Sequence, residues 1–235
     1  MSHNQTANTL TIELIELLHR ASAGRTIDKK KGTFLFQEGQ NATEMFLILS
    51  GQIQISKMNA KGQELYLRLC SANEIVGELT LFTEDPKYIF NAKVVTDSRV
   101  AAIPLSSLES SLFQNSKLAF LFLKWMNDHY RRTMTKFRDL VLYGKKGALY
   151  STLIRLSNSY GIQQEDGIHI TVPLTNQDLA NFCGTAREII SRLLAELKRN
   201  KIISIDRKKI IIHNIEFLRL QNDCENCPVS ICNID

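Results

Sequence analysis

The chain has 235 residues, 44% of them apolar and 23% charged, and a formal charge of +5. That length allows one large domain or two modest ones with real cores, and the charge is too weak by itself to indicate nucleic acid. The longest apolar run, LAFLFLKWM at 118–126, falls well short of the roughly 18 residues of a membrane span, and MSHNQTANTL lacks the build of a secretion signal, so a cytoplasmic protein without a membrane partner is expected.

Leu10 to Arg20 reads as a short amphipathic helix. From Gly32 to about Pro104 the pattern changes to short strands. Phe34 and Phe36, Ile53 and Ile55, then Leu65, Leu67 and Leu69 alternate with period two, and Asn59-Ala60-Lys61-Gly62 suits a hairpin connection. Several such strands predict a small antiparallel barrel or roll. A helix near Ser106–Phe113 then leads into a long one from about Lys117 to Leu142. Along it Phe122, Met126, Tyr130, Met134, Phe137 and Val141 recur at helical spacing, with further apolar residues off that stripe. A helix apolar on two sides needs two surfaces to pack on. One is the barrel; the other is most simply the same helix of a second subunit, the alternative being burial within a monomer.

Gly144-Lys145-Lys146-Gly147 breaks the long helix and marks a boundary. Leu149, Leu153, Leu156 and Tyr160 define another helix, stopped by Gly161, and Ile168 to Val172 a brief strand. Leu174 to Asn200 then reads as two helices joined at Gly184. Thr175 can cap the first with Asp178, and Thr185 the second with Glu188, the reciprocal pattern of a capping box. Leu179 and Phe182 can pack on Ile190, Leu193, Leu194 and Leu197. Lys201–Ile205 and Lys209–His213 flank Asp206-Arg207-Lys208 as a basic-tipped hairpin suited to phosphates. Asn214–Gln221 is a last short helix.

The second helix of the pair would carry Arg187, Glu188, Ser191 and Arg192 on the side away from its leucines, with Thr185 at its start. Arg contacts guanine O6 and N7 with two prongs, and Glu accepts from the cytosine amino group. Residues 145–222 hold 12 Lys or Arg against 7 Asp or Glu, the greatest basic excess per residue in the chain. Double-stranded DNA is therefore the expected partner, against the plainer alternative of a helical hairpin with a solvated charged face.

Five cysteines in a cytosolic chain argue against a disulfide framework. Cys224, Cys227 and Cys232 crowd the tail with spacing C-x2-C-x4-C, which suits zinc or an iron–sulfur cluster, either one completed by a fourth partner. Cys183 and Cys70 stand apart from them, as small buried residues. Neither G-x-G-x-x-G nor G-x-x-x-x-G-K-[ST] occurs, and no nucleophile arrangement surrounds His19, His129, His169 or His213, so an enzyme is not expected.

Barrel, long helix, glycine hinge and winged helix-turn-helix, in this order, resemble the CRP/FNR family of bacterial transcription regulators. The most specific shared stretches are Gly77-Glu78-Leu79 and the run from Gly184 to Arg192. The resemblance covers nearly the whole chain and implies an α+β fold: an N-terminal antiparallel β-roll over 1–105, a dimerisation helix and hinge over 106–144, a winged helix-turn-helix over 145–222, and a cysteine-rich tail over 223–235. It implies a homodimer on a palindromic DNA site and a roll that touches RNA polymerase. Arg187, Glu188 and Arg192 match the positions with which the cAMP-receptor branch reads TGTGA half-sites. Glu188, Ser191 and Arg192 also match the FNR branch, which commonly has no arginine where Arg187 stands.

In relatives that bind cAMP, Gly-Glu-Leu is followed about nine residues later by Arg-Ser, which hold the cyclic phosphate. Tyr88 and Ile89 stand there in this chain, so cAMP is not expected. The FNR branch's usual N-terminal cysteines are absent too, since none precedes Cys70. The tail resembles instead the FNR proteins of Bacillus and its relatives, where three C-terminal cysteines and an aspartate hold a [4Fe-4S] cluster. The resemblance carries the ligand roles to Cys224, Cys227, Cys232 and Asp139. A plain helix-surface carboxylate paired with Arg138 or Lys136 is the alternative for Asp139, and Asp223, Glu225, Asp235 or His213 are other candidates for the fourth place. The implied activity is oxygen-responsive control of anaerobic genes; the rival is a small-molecule sensor with a zinc-stapled tail.

Overall fold

The structure is a computed structural model that describes residues 9–22 and 24–234. Its elements fall into two compact units, one drawing on the chain up to Lys57 and on Leu67–Asn127, the other on Met58–Tyr66 and Asp128–Ile234. No helix among the described residues is long and apolar enough to cross a membrane.

The first unit begins with helix α1 (Thr9–Ala21) and takes in strands β1 (Thr26–Lys29), β2 (Phe34–Phe36), β3 (Glu44–Met58) as far as Lys57, β4 (Glu64–Cys70) from Leu67, β5 (Ile75–Val76) and β6 (Asn91–Pro104). The sheet runs β1-β6-β3-β4, with β2 added to β6 and β5 to β3. Its inward residues, among them Met45, Leu47, Ile53, Val100 and Ile103, bury completely and pack on Leu14 and Leu18 of α1. The long pair β3–β6 shifts register around Gly51, where φ is +89° and a Cβ would lie 2.2 Å from Ser98 Oγ. Only glycine fits that approach. The hairpin turn forms where the sequence placed it: Asn59 Oδ1 accepts from the backbone N–H groups of Lys61 (2.9 Å) and Gln63 (3.0 Å), and Gly62 takes φ +77°.

Helix α2 (Leu105–Gln114) is followed by α3 (Ser116–Tyr160), which is two helices meeting at Gly144, whose φ of 59° and ψ of −152° are not helical. The predicted break is thus a kink at one residue. The apolar stripe divides differently from the sequence reading. Phe122 and Met126 turn into the core of the first unit beside Leu118 and Leu121. The exposed stripe is instead Phe120, Leu123, Tyr130, Met134, Phe137 and Val141.

After the kink, α3 runs to Tyr160 and the second unit adds β7 (Gly161–Gln164), β8 (Gly167–Ile170), α4 (Asn176–Phe182), α5 (Arg187–Arg199), β9 (Ile203–Asp206), β10 (Lys209–Ile212) and α6 (Ile215–Gln221). Its antiparallel sheet has the order β7-β8-β10-β9. Gly161 ends the helix as expected, but β7 follows it at once, a strand that its glutamine-rich sequence concealed. Leu149, Leu153, Leu156, Ile190, Leu194, Leu197 and Leu218 form the core. The architecture is α+β, with an antiparallel β domain, a long helix and a winged helix-turn-helix.

Candidate DNA-reading helix and cysteine pocket

Thr175 caps α4 with both halves of a capping box: its Oγ1 accepts from the Asp178 backbone N–H, and Asp178 Oδ2 accepts from the Thr175 backbone N–H at 2.8 Å. Gly184 then turns the chain with φ +56°. The second expected capping box does not form. Ala186, not Thr185, is the residue before α5, and it makes no side-chain cap. Thr185 sits one residue too early to reach the third turn position, and its Oγ1 is buried with no hydrogen-bond partner among the described residues.

Helix α5 itself is strongly two-faced. Ile190, Leu194 and Leu197 bury against Leu179 of α4, while Arg187, Glu188, Ser191 and Arg192 are all exposed in its first two turns. Beyond it the β9–β10 turn places Arg207 and Lys208 at φ +45° and +69°. Both central residues of this two-residue turn are left-handed, a geometry that suits hairpin twist but normally takes Asn or Gly. The strained turn presents two exposed cationic side chains.

Asp139, Cys224, Cys227 and Cys232 line one small pocket, with Arg138, Ser151, Arg155 and Asn222 in its wall. All of these lie in the second unit. Asp139 is not on the surface. It is 4% exposed, accepts from Ser151 Oγ at 2.5 Å, and is paired with Arg138 at 2.8 Å and Arg155 at 3.5 Å. The alternative pairing with Arg138 is therefore real but buried, and Lys136 donates elsewhere, to the Ile234 carbonyl at 3.3 Å. Among the other candidates for the fourth ligand, Glu225 pairs with Arg138 and Asp223 accepts from the Tyr143 hydroxyl at 3.2 Å. His213 is turned to Asp166 O and Ser204, away from the pocket. Asp235 lies outside the described residues.

Burial raises the Cys232 thiol above its ordinary pKa, helped by the charges of Cys224, Cys227 and Asp139 and opposed by Arg155. Burial penalises the charge of Arg138, yet its bond to Asp139 and the charges of Glu225 and Cys227 leave it more firmly protonated than usual. Among the described residues no three His, Cys, Asp or Glu side chains converge closely enough to hold a single metal ion. Cys183 and Cys70 are buried elsewhere, as expected, and desolvation pushes the Cys183 thiol up to about 12.

The tail is part of the folded unit. Ile231 and Ile234 are 2% exposed, and a turn forms as the Ile231 and Cys232 N–H groups donate to the Pro228 carbonyl. Sequence reasoning missed this anchoring, and it also missed Ser151, Arg155 and Asn222. The two isoleucines were a usable signal, since apolar residues interleaved with cysteines suit a docked segment better than a solvated one.

In the roll, Gly77 takes φ +90° ahead of the 3₁₀ turn Glu78–Thr80, and Glu78 is held by Arg68 at 2.8 Å. Tyr88 stacks on Phe36 with ring centroids 3.9 Å apart and donates from its hydroxyl to the Glu44 carbonyl at 2.7 Å. Burial pushes that phenol up to about 12. Tyr88 is thus a neutral ring packed into the core of the first unit.

Residues 27–115 match the family description "Cyclic nucleotide-binding domain", and residues 147–220 match "Crp-like helix-turn-helix domain". An anaerobic regulatory protein from Bacillus subtilis is 52% identical over 97% of this chain and 96% of its own. This chain belongs to the CRP/FNR family of transcription regulators. A global nitrogen regulator from Nostoc is 28% identical over 76% of the chain and 81% of its own. Among solved structures, the c-di-GMP responsive regulator CLP of Xanthomonas campestris aligns with TM-score 0.72 over 88% of this chain and 99% of its own, at 22% identity. FixK2 of Bradyrhizobium japonicum aligns at 0.69 over 84% and 96%, at 16% identity. At those identities the two structures speak for the fold alone. As a CRP/FNR regulator with a Crp-like helix-turn-helix, the chain is a DNA-binding protein, and α5 is the second helix of that motif.

Proposed function

We propose that this regulator controls anaerobic genes and grips DNA as a homodimer when a [4Fe-4S] cluster is held by Cys224, Cys227, Cys232 and Asp139. The observation that carries the reading is that three thiols and one carboxylate, 85 or more residues apart in sequence between Asp139 and the cysteines, line a single pocket. Cys224, Cys227, Cys232 and Asp139 would each supply one ligand to such a cluster, so donors that line a pocket without converging on one point suit it. Soft thiolates suit iron–sulfur chemistry, and the positive charges of Arg138 and Arg155 beside Asp139 would offset the anionic ligands. The name carried by the Bacillus subtilis relative supports the anaerobic role.

When bound, the cluster supplies an oxygen-labile tie whose loss is chemically irreversible without reassembly. The chain's own residues do the rest. Cys224, Cys227 and Cys232 belong to the segment that follows the winged helix-turn-helix, and Asp139 belongs to α3 ahead of the Gly144 kink. Ligation from both sides would hold the kink angle and with it the pose of α5. Two such helices about 34 Å apart would read an inverted repeat of TGTGA-like half-sites, with Arg187, Glu188, Ser191 and Arg192 on base edges and Thr185 beside the backbone. The roll then serves as a scaffold and as a surface for RNA polymerase, with no cyclic nucleotide required.

The test is anaerobic isolation followed by iron and sulfide analysis and a visible spectrum, repeated on Cys227→Ser. A broad iron–sulfur band, lost in the variant and in air together with site-specific DNA binding, is the expected result. Zinc without sulfide, with DNA binding indifferent to air, would replace this reading by a small-molecule sensor with a stapled tail.

A further inference from the structure

We infer that Arg155 is the positioning residue that docks the cysteine tail across the kink, in the metal-free protein as well as the loaded one. Arg155 is 3% exposed, a burial that arginine accepts only with its donors satisfied. Its guanidinium reaches three parts of the chain. Nε donates to Ser151 Oγ at 3.1 Å, one helical turn back after the kink. Nη2 donates to Thr135 Oγ1 at 2.9 Å and faces Asp139 at 3.5 Å, both ahead of the kink. Nη1 donates to the tail carbonyls of Ile231 at 3.1 Å and Asn233 at 3.4 Å.

Neighbouring bonds follow the same plan. Asn158 Nδ2 donates to the Cys232 carbonyl at 2.6 Å, and the Ile234 N–H donates to Ser159 Oγ at 3.1 Å, both after the kink. Arg132 Nε donates to the Ser230 carbonyl at 2.8 Å from before it. Arg155 itself touches all three segments. A planar fork with five donors can do this, whereas a lysine ammonium is a point charge and cannot span the set. The tail is thereby preorganised: its thiols stand around the pocket before any ligand arrives, which lowers the entropy cost of assembling the site. The docking role rests on hydrogen bonds alone. Its second consequence, a buried positive charge offsetting anionic ligands, rests on the cluster reading above.

The test is amide hydrogen exchange of the full-length, metal-free protein, comparing the wild type with Arg155→Met and Arg155→Lys. The reporters are the Ile231, Cys232 and Ile234 amides, with the Ile190–Leu197 amides of the reading helix as the fold control. We expect the tail amides of Arg155→Met to exchange about tenfold faster or more, the size of losing one charge-assisted hydrogen bond, with the control unchanged. Arg155→Lys should give a smaller increase of the same kind. A variant with all three tail cysteines changed to serine should keep wild-type protection, since the docking does not use the thiols. Should Arg155→Met also lose protection in the reading helix, Arg155→Lys decides: wild-type tail exchange in that variant overturns the proposal. Tail protection unchanged in Arg155→Met likewise overturns it. Iron and sulfide analysis of the wild type is a separate readout, so a protected tail in a protein that binds no iron sustains the role of Arg155 and removes the cluster reading alone.

Discussion

Arg138 donates from both Nε (3.1 Å) and Nη2 (2.8 Å) to one oxygen of its sequence neighbour Asp139. The other oxygen is held by Ser151 and faces Arg155. Hydrogen bonds from Arg138 and Ser151 take three of a carboxylate's roughly four lone-pair sites, and the Arg155 charge stands 3.5 Å from Oδ2. For Asp139 to ligate iron, Arg138 must let go of Oδ1, and it has Glu225 within 2.7 Å to go to.

Two outcomes follow from that competition. Arg138→Ala frees Oδ1 and should leave the iron and sulfide content of anaerobically isolated protein at or above the wild-type level. Asp139→Ala should lower it, and a loss in Arg138→Ala as large as in Asp139→Ala would exclude the carboxylate exchange. In the metal-free protein, Asp139→Ala strands the buried charge of Arg155, which costs about 3–5 kcal/mol where an exposed ion pair would cost at most about 1. Urea denaturation of the metal-free variant separates these two magnitudes.

The glycines at the kink should not be equivalent. Gly144 combines φ 59° with ψ −152°, a region close to glycine-only, but has open space around its Cα, so Gly144→Ala costs about 1–3 kcal/mol from backbone strain alone. Gly147 has helical geometry but no room. A Cβ there would lie 2.1 Å from Tyr143 Cβ and 3.1 Å from both Asn222 Oδ1 and the Asp139 carbonyl. Gly147→Ala must therefore push α6's following residue and the end of the pre-kink helix apart. Urea midpoints should fall in both variants, but only Gly147→Ala should also weaken iron binding, because only there does the pocket wall move.

The sequence exposed the parts of this molecule that depend on local chemistry. Thr175 with Asp178, Gly62 after Asn59 and the apolar face of α5 each follow from a short-range rule, and each forms. What escaped was long-range. That Arg155 lies under the tail depends on a turn at Pro228, on a bond to the Ile231 carbonyl 76 residues away and on Ile234 joining the core, which no window of periodicity contains. The Thr185–Glu188 box failed for a smaller reason, since the turn after Gly184 takes one residue more than the pattern allowed and leaves Ala186 at the helix start. The stripe on the long helix failed by a rotation: Phe122 and Met126 satisfy the helical period equally well, and only the packing of the roll tells which side they face.

That rotation gives the long helix a new register. Phe120, Leu123, Asn127, Tyr130, Met134, Phe137 and Val141 are all exposed and alternate by three and four residues, the seam of a coiled coil with Asn127 in an a position. A second copy packed there would bury that seam, and a polar a-position residue fixes register and strand number at a cost in stability. Sedimentation should find Phe137→Glu monomeric at concentrations where the wild type is a dimer. Asn127→Leu should dimerise more tightly than the wild type yet bind an inverted-repeat duplex less well. A wild-type protein that stays monomeric at high micromolar concentration would remove the seam from the account.

The reading helix and the wing should fail in different ways. Arg192 projects from the exposed face of α5, where a two-pronged contact with guanine is worth about 1–3 kcal/mol against the wrong base. Arg192→Ala should therefore weaken the cognate site roughly tenfold or more and leave random DNA nearly untouched. Lys208, at the tip of the strained β9–β10 turn, is placed to meet phosphate, and a phosphate contact would carry no base information. Lys208→Ala should weaken cognate and random duplexes by the same factor and reduce the salt slope of log K by about one. Fluorescence anisotropy at several salt concentrations reads both effects at once. Equal losses on both duplexes for Arg192→Ala would mean that α5 lies along the backbone and that another element reads the bases.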